Sequence, residues 1–140
     1  MSASTKLSNS VKALCFLVQH SPVPQSSSTI SQHTGINASK IRKLFSHLAK
    51  TGIVTTTRGT SGGFVLGREP AKIDLQEIYC AIEDRKAFHL DVSRLNFTGQ
   101  REASAVNGYF QDLFAEIQVD IEDKMRNISL ASIVREVQGS

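Results

Sequence analysis

The first twenty residues carry a helical rhythm. Leu7, Val11, Leu14, Cys15 and Val18 recur at three- and four-residue spacing, which lines one face of an amphipathic helix. Residues 21–28 break the rhythm with Pro22, Pro24 and four serines, a composition that predicts a loop. A short helix is expected from about Thr29 to Thr34, with Ser28 as its N-cap and Gly35 as its stop. Asn37 is placed to cap the next helix. Its Ile41, Leu44, Phe45 and Leu48 form a second apolar stripe, and Gly52 follows its end. Period two then replaces the helical period. Ile53 to Thr57 is β-branched, residues 58–63 are rich in glycine and small hydroxyls, and Phe64-Val65-Leu66 supplies a return strand.

Asp74 and Glu77 have the spacing of a capping box, ahead of a helix that is expected to bury Leu75, Ile78, Tyr79 and Ile82. No period is convincing from Glu83 to about Gln100. A long helix follows from Glu102 to Arg126, with Val106, Phe110, Leu113, Phe114, Ile117, Ile121 and Met125 along one side. Gly108 is unfavourable near its start. Ser129 is placed to cap a last short helix through Val137. The expected fold is therefore mainly α with a small β-wing: a winged helix-turn-helix over residues 1–84, then a linker and a C-terminal dimerisation or effector region over 85–140. In that order of elements, the third helix (38–51) enters a major groove and the ribbon (53–66) tracks the backbone or minor groove.

Charge sharpens this picture. The 140 residues carry a net charge of +3, but residues 1–70 hold eight Lys/Arg against one Asp/Glu, while residues 71–140 hold eight against twelve. A basic half joined to an acidic half fits a polyanion-binding module with a different kind of neighbour. With the apolar stripe of the third helix turned inward, Lys40, Lys43 and His47 are expected to face outward, with Ser39, Arg42 and Ser46 beside them. Arg42 has the geometry for a bidentate contact to guanine, and Lys40 and Lys43 suit phosphates. Arg58 sits at a glycine-rich tip, where an arginine suits the narrow, electronegative minor groove, and Thr60 and Ser61 can donate to phosphate oxygens. Ser28 joins these candidate DNA contacts. Taken one at a time, such residues are also ordinary solvated charges or turn residues.

The run Ile36-Asn37-Ala38-Ser39-Lys40-Ile41-Arg42-Lys43-Leu44-Phe45, followed by Leu48-Ala49-Lys50-Thr51-Gly52-Ile53-Val54, resembles the recognition helix of the IscR/NsrR/CymR-type bacterial winged-helix regulators. Arg58-Gly59-Thr60-Ser61-Gly62-Gly63-Phe64 is similar to that family's R-G-x-x-G-G-[YF] wing, and Ile73-Asp74-Leu75 through Ala81-Ile82-Glu83 to its post-wing helix. The resemblance covers residues 6–84 well and the remainder by architecture. It implies a homodimeric transcription factor, usually a repressor, that reads a pseudo-palindromic operator; the cytoplasm is expected separately, from the two cysteines and the lack of a span or signal peptide. It also implies that the long helix dimerises through Val106, Phe110, Leu113, Ile117 and Ile121, a reading preferred over intramolecular core because an exposed apolar face on so long a helix needs a partner. Where relatives often carry a base-discriminating glutamate this chain has Arg42, so the operator does not transfer.

Many family members hold an iron–sulfur cluster on three cysteines after the post-wing helix; this chain has none between Asp84 and Ser104. Cys15 and Cys80 do not supply clustered thiolates, and the four histidines show no ligand-like spacing. No cofactor or metal is expected. The signal is left open between thiol chemistry at Cys80 and a small-molecule or protein contact over Arg85 to Gln100, which contains His89 and Phe97. The longest apolar run, Ala13 to Val18, is too short for a membrane span, and no signal peptide is expected. The glycine-rich stretch lacks a G-K-[ST] ending and precedes a strand, so it is not a nucleotide loop. No nucleophile has an evident base partner, which argues against an enzyme. The competing class is an interaction adaptor that kept the winged fold but lost DNA binding.

Overall fold

The computed structural model describes residues 3–83 and 101–139. In chain order the elements are α1 (Ala3–His20), α2 (Ser27–Thr34), α3 (Ala38–Lys50), β1 (Val54–Thr57), β2 (Gly63–Leu66), a 3-10 turn (Pro70–Lys72), α4 (Leu75–Glu83), α5 (Arg101–Arg126) and α6 (Leu130–Gln138). The segment 84–100, with the expected effector contacts around His89 and Phe97, lies outside the described residues.

Local chemistry sets most of these boundaries. Asn37 Oδ1 accepts from the backbone N–H of Ser39 at 2.8 Å and of Lys40 at 3.4 Å, satisfying donors that the first turn of α3 cannot pair internally. Gly52, at φ 79°, takes the left-handed conformation just past the helix end. At the start of α4 the capping box closes in both directions. Glu77 N–H donates to Asp74 Oδ1 at 2.8 Å, and Asp74 N–H donates to Glu77 Oε2 at 3.1 Å. Ser129 caps α6 by accepting from Ser132 N–H at 3.1 Å.

The start of α2 differs from expectation. Ser26, not Ser28, is the N-cap, and it accepts from Thr29 N–H at 3.1 Å. The cause is long-range: Gln25 is held extended by pairing with Phe64, so the chain is free to turn into a helix immediately afterwards. Ser28 then falls within the first helical turn, exposed.

One core serves α1 to α4. Leu14, Ile30, Ile41, Phe45, Leu48, Ile53, Ile73 and Ile78 are completely buried in it. Each such side chain stabilises the fold by roughly 1.5–3 kcal/mol relative to exposure. Leu130, at the start of α6, is buried in the same cluster, and its N–H donates to Ile73 O at 2.8 Å. The last helix therefore returns from the C-terminal segment and completes the core of the N-terminal one. Leu75, expected in the core, is only half-buried and packs with Tyr79, Met125 and Ile121 where α5 leaves the body.

The antiparallel ribbon pairs Val54 with Leu66, Thr55 with Val65, Thr56 with Phe64 and Thr57 with Gly63. Its root is fixed from inside: the Phe45 ring of α3 meets Phe64 edge-on, with centroids 5.0 Å apart.

Candidate nucleic-acid interface

Because Ile41, Leu44, Phe45 and Leu48 turn inward, the opposite face of α3 is fixed by helical geometry. Ser39, Lys40, Arg42, Lys43, Ser46 and Lys50 are all exposed there. Lys50 was not singled out from sequence, although its position seven residues after Lys43 puts it on the same row. Among the described residues no carboxylate pairs with any of these four cations.

Arg42 is the best-oriented member. Its Nη1 donates to Ser27 Oγ and its Nη2 to Ser39 Oγ, both at 3.0 Å. Ser27 lies on α2, so this pair of bonds spans the two helices of the helix-turn-helix and sets the guanidinium plane. The remaining N–H groups of the fork stay available to a groove. Ser27 was missed in the sequence because the serine run 26–28 gives no hint of which member faces α3.

His47 lies between Lys43 and Lys50 on the same row but is half-buried, and together with Lys50 it lines a pocket with Thr51, Glu77, Cys80 and Ala81, where this flank of α3 meets α4. Cys80 is likewise half-buried, with Gln76 Nε2 at 3.5 Å from its sulfur.

The wing places Arg58, Thr60 and Ser61, all exposed, at the tip between the strands. Gly59 has φ 107°, which a side chain would strain, and it allows the tight reversal after Arg58. Thr57 locks the neck: Gly63 N–H donates to Thr57 Oγ1 at 2.9 Å, and that hydroxyl donates on to Gly63 O at 3.2 Å. Below the wing, Arg68 Nη1 donates to Glu77 Oε1 at 2.9 Å and Nη2 to Lys72 O at 2.6 Å, which pins the ribbon's exit to α4. Burial pushes the Glu77 carboxyl up, but hydrogen bonds from Arg68 and the Asp74 backbone outweigh it and hold the group below its ordinary value. Burial lifts the Asp74 carboxyl above its ordinary value, and the charge of Glu77 adds to that rise against opposing backbone hydrogen bonds.

The expected dimer stripe lies on α5. Val106, Phe110 and Ile117 are exposed, as are Tyr109 and Val119, whereas Leu113 and Ile121 are half-buried. Phe110 stacks obliquely on Phe114 with centroids 5.7 Å apart, and Tyr109 meets Phe110 edge-on at 5.6 Å. Among the residues of this helix whose burial is described, Met125 is the buried hydrophobic one, against Tyr79, and Asn107 is a buried polar one.

A positively charged helix beside a hairpin tip, both anchored to one core, defines a winged helix-turn-helix protein. Comparison with known proteins agrees and narrows the class. The family model described as "Rrf2: Iron-dependent Transcriptional regulator" matches residues 3–136, and the chain belongs to the Rrf2 family of transcriptional regulators. The HTH-type transcriptional regulator IscR of Xenorhabdus nematophila is 39% identical over 66 residues, covering 47% of this chain and 39% of that protein. An HTH-type transcriptional regulator of Neisseria meningitidis serogroup A is 30% identical over 112 residues, covering 78% of this chain and 70% of that one. The match thus spans only about two-fifths of the Xenorhabdus protein. The solved structure of T. potens IscR superposes with a TM-score of 0.72 at 25% identity, covering 98% of this chain and 88% of that one.

The family description names iron, and the residues here do not fit a thiolate-held centre. The chain has two cysteines, and they open into different grooves: Cys15 between α1 and α6, Cys80 between α3 and α4. Among the described residues no three His, Cys, Asp or Glu side chains come together. His89 is outside the described residues. No helix among them is long and apolar enough to cross a membrane.

Proposed function

We propose that this chain is a sequence-specific DNA-binding regulator acting as a homodimeric repressor on a pseudo-palindromic operator. The observation that carries the reading is the Arg42 brace. A guanidinium held between α2 and α3, on an exposed cationic face, is preorganised for a groove contact and has no role in the core. Lys40, Lys43 and Lys50 supply phosphate anchors around it, Ser39 and Ser28 add hydroxyl donors, and Arg58 with Thr60 and Ser61 reaches the flanking minor groove. His47 serves from the edge of the surface. Two copies joined through Val106, Phe110, Leu113, Ile117 and Ile121 would set two recognition helices at a fixed half-site spacing. Residues 1–84, with α6 returned onto their core, then act as the reading unit, and the rest of 85–140 acts as the dimerisation and signal-receiving segment, in the cytoplasm, with no catalytic role.

Selection from a random duplex pool tests this. Enrichment of an inverted repeat, with half-sites about one helical turn apart, is expected. A pool that stays random after repeated rounds would contradict it and favour an adaptor that contacts protein.

A further inference from the structure

An open groove of about 650 Å³ runs between α1 and α6, outside the DNA-facing surface. Leu7, Val11, Cys15 and Phe16 form its α1 wall, Ile133 and Val137 the α6 wall, and Leu75 of α4 adds to the lining. Its size falls within the range of small-molecule sites, and its walls are predominantly apolar with a few polar groups at the rim, as such sites require. Burial pushes the Cys15 thiol up, which marks that wall as poorly hydrated.

The rim is chemically one-sided. Its polar side chains among the described residues are Ser8, Lys12, Gln19, His33 and Thr34, and none of the described carboxylates lines it. Lys12 is exposed on the lip and has no carboxylate partner among the described residues. We propose that the groove binds an apolar small molecule bearing one carboxylate, with its tail between α1 and α6 and its head group paired with Lys12. His33 and Thr34 belong to the last turn of α2, so the occupant touches the helix-turn-helix itself. That contact makes the site an effector site only if the DNA-binding reading holds; the binding claim stands independently of it.

The test uses the full chain without DNA, so that its outcome is separate from operator recognition. Decanoate is titrated by calorimetry, with 1-decanol as the neutral control. Saturable binding at one decanoate per chain is expected, about tenfold tighter than decanol. Lys12→Gln should abolish that preference while leaving decanol binding unchanged. Val137→Asp, at an exposed position, should weaken decanoate about tenfold or more through charge repulsion. Circular dichroism of each variant checks that the fold persists. Non-saturable uptake, or decanoate affinity indifferent to both substitutions, would overturn the assignment. So would decanoate affinity that falls as protein concentration promotes self-association, because the groove would then be covered by a second copy.

Discussion

Gln25 and Phe64 exchange both of their backbone hydrogen bonds, at 3.0 and 2.9 Å, although 39 positions separate them in the chain. That one bridge ties the wing to the loop before α2, and Phe64 passes the constraint to Phe45 inside the recognition helix. The wing and the helix are thus parts of one rigid reading head.

Gly63 is the residue that permits the bridge. A Cβ placed on it would lie 2.6 Å from the carbonyl oxygen of Gln25, and backbone cannot give way as a side-chain tip can. Gly63→Ala is expected to cost about 1–3 kcal/mol, as overpacking does. Urea denaturation measures it; an unchanged midpoint would mean that the wing is not held at Gln25.

Arg58 has an exposed place at the wing tip and no role in the core. Arg58→Ala should weaken operator binding by roughly 1–3 kcal/mol while leaving the thermal midpoint unchanged. Equal affinities in a fluorescence-anisotropy titration would remove the wing from the mechanism.

Lys43 and Arg42 are adjacent but should behave differently. Lys43→Ala is expected to weaken all duplexes alike and reduce the slope of log affinity against log salt by about one, the mark of a lost phosphate contact. Arg42→Ala should discriminate less between operator and scrambled duplex. If Lys43→Ala instead affects one sequence only, Lys43 is a base reader.

The Arg68–Glu77 bond has a pH signature. Glu77 is held below its ordinary value of 4.5, so its stabilising contribution is complete above that pH and is lost as pH falls through the depressed folded value. Asp74 is raised above its ordinary 3.8, so its contribution has the opposite sign and is lost as pH rises through the raised value. Both ends of the ion pair are about one-third exposed, which limits its worth; with the cap, Glu77→Gln should cost about 1 kcal/mol at pH 7. Thermal melts from pH 7 to pH 3 should show the gap between wild type and variant closing in the acid range. A gap that stays constant as pH falls below 4.5 would assign the effect to packing.

The local features of this fold were legible because their causes are local. Asn37, Asp74 with Glu77, and Ser129 cap their helices through side chains two or three residues from the groups they satisfy, and that spacing is visible in the chain. The same holds for the cationic face of α3, which follows from the apolar stripe opposite it. What escaped was set by distant partners. Ser26 replaced Ser28 as a cap because Phe64 holds Gln25; Arg42 found Ser27 across a helix pair; and α6 returned to the first core through Leu130. The pocket that His47 and Lys50 line against α4 is likewise set by a distant element.

Dimerisation has its own direct check. Phe110 and Ile117 are exposed, and neither belongs to the hydrophobic clusters that hold Met125 and the main core, so a negative charge there should not disturb the core. Phe110→Asp is expected to shift the chain to monomer in sedimentation equilibrium and to lower operator affinity by more than tenfold. A variant that remains dimeric would place the interface elsewhere.

The central claim is that the braced face of α3 and the wing read a specific duplex. The most direct measurement is titration of the full chain into a labelled duplex from its own upstream region, beside a scrambled duplex, at several salt concentrations. Selective binding that falls steeply with salt is the predicted result. Equal, weak binding to both duplexes at every salt concentration would contradict it.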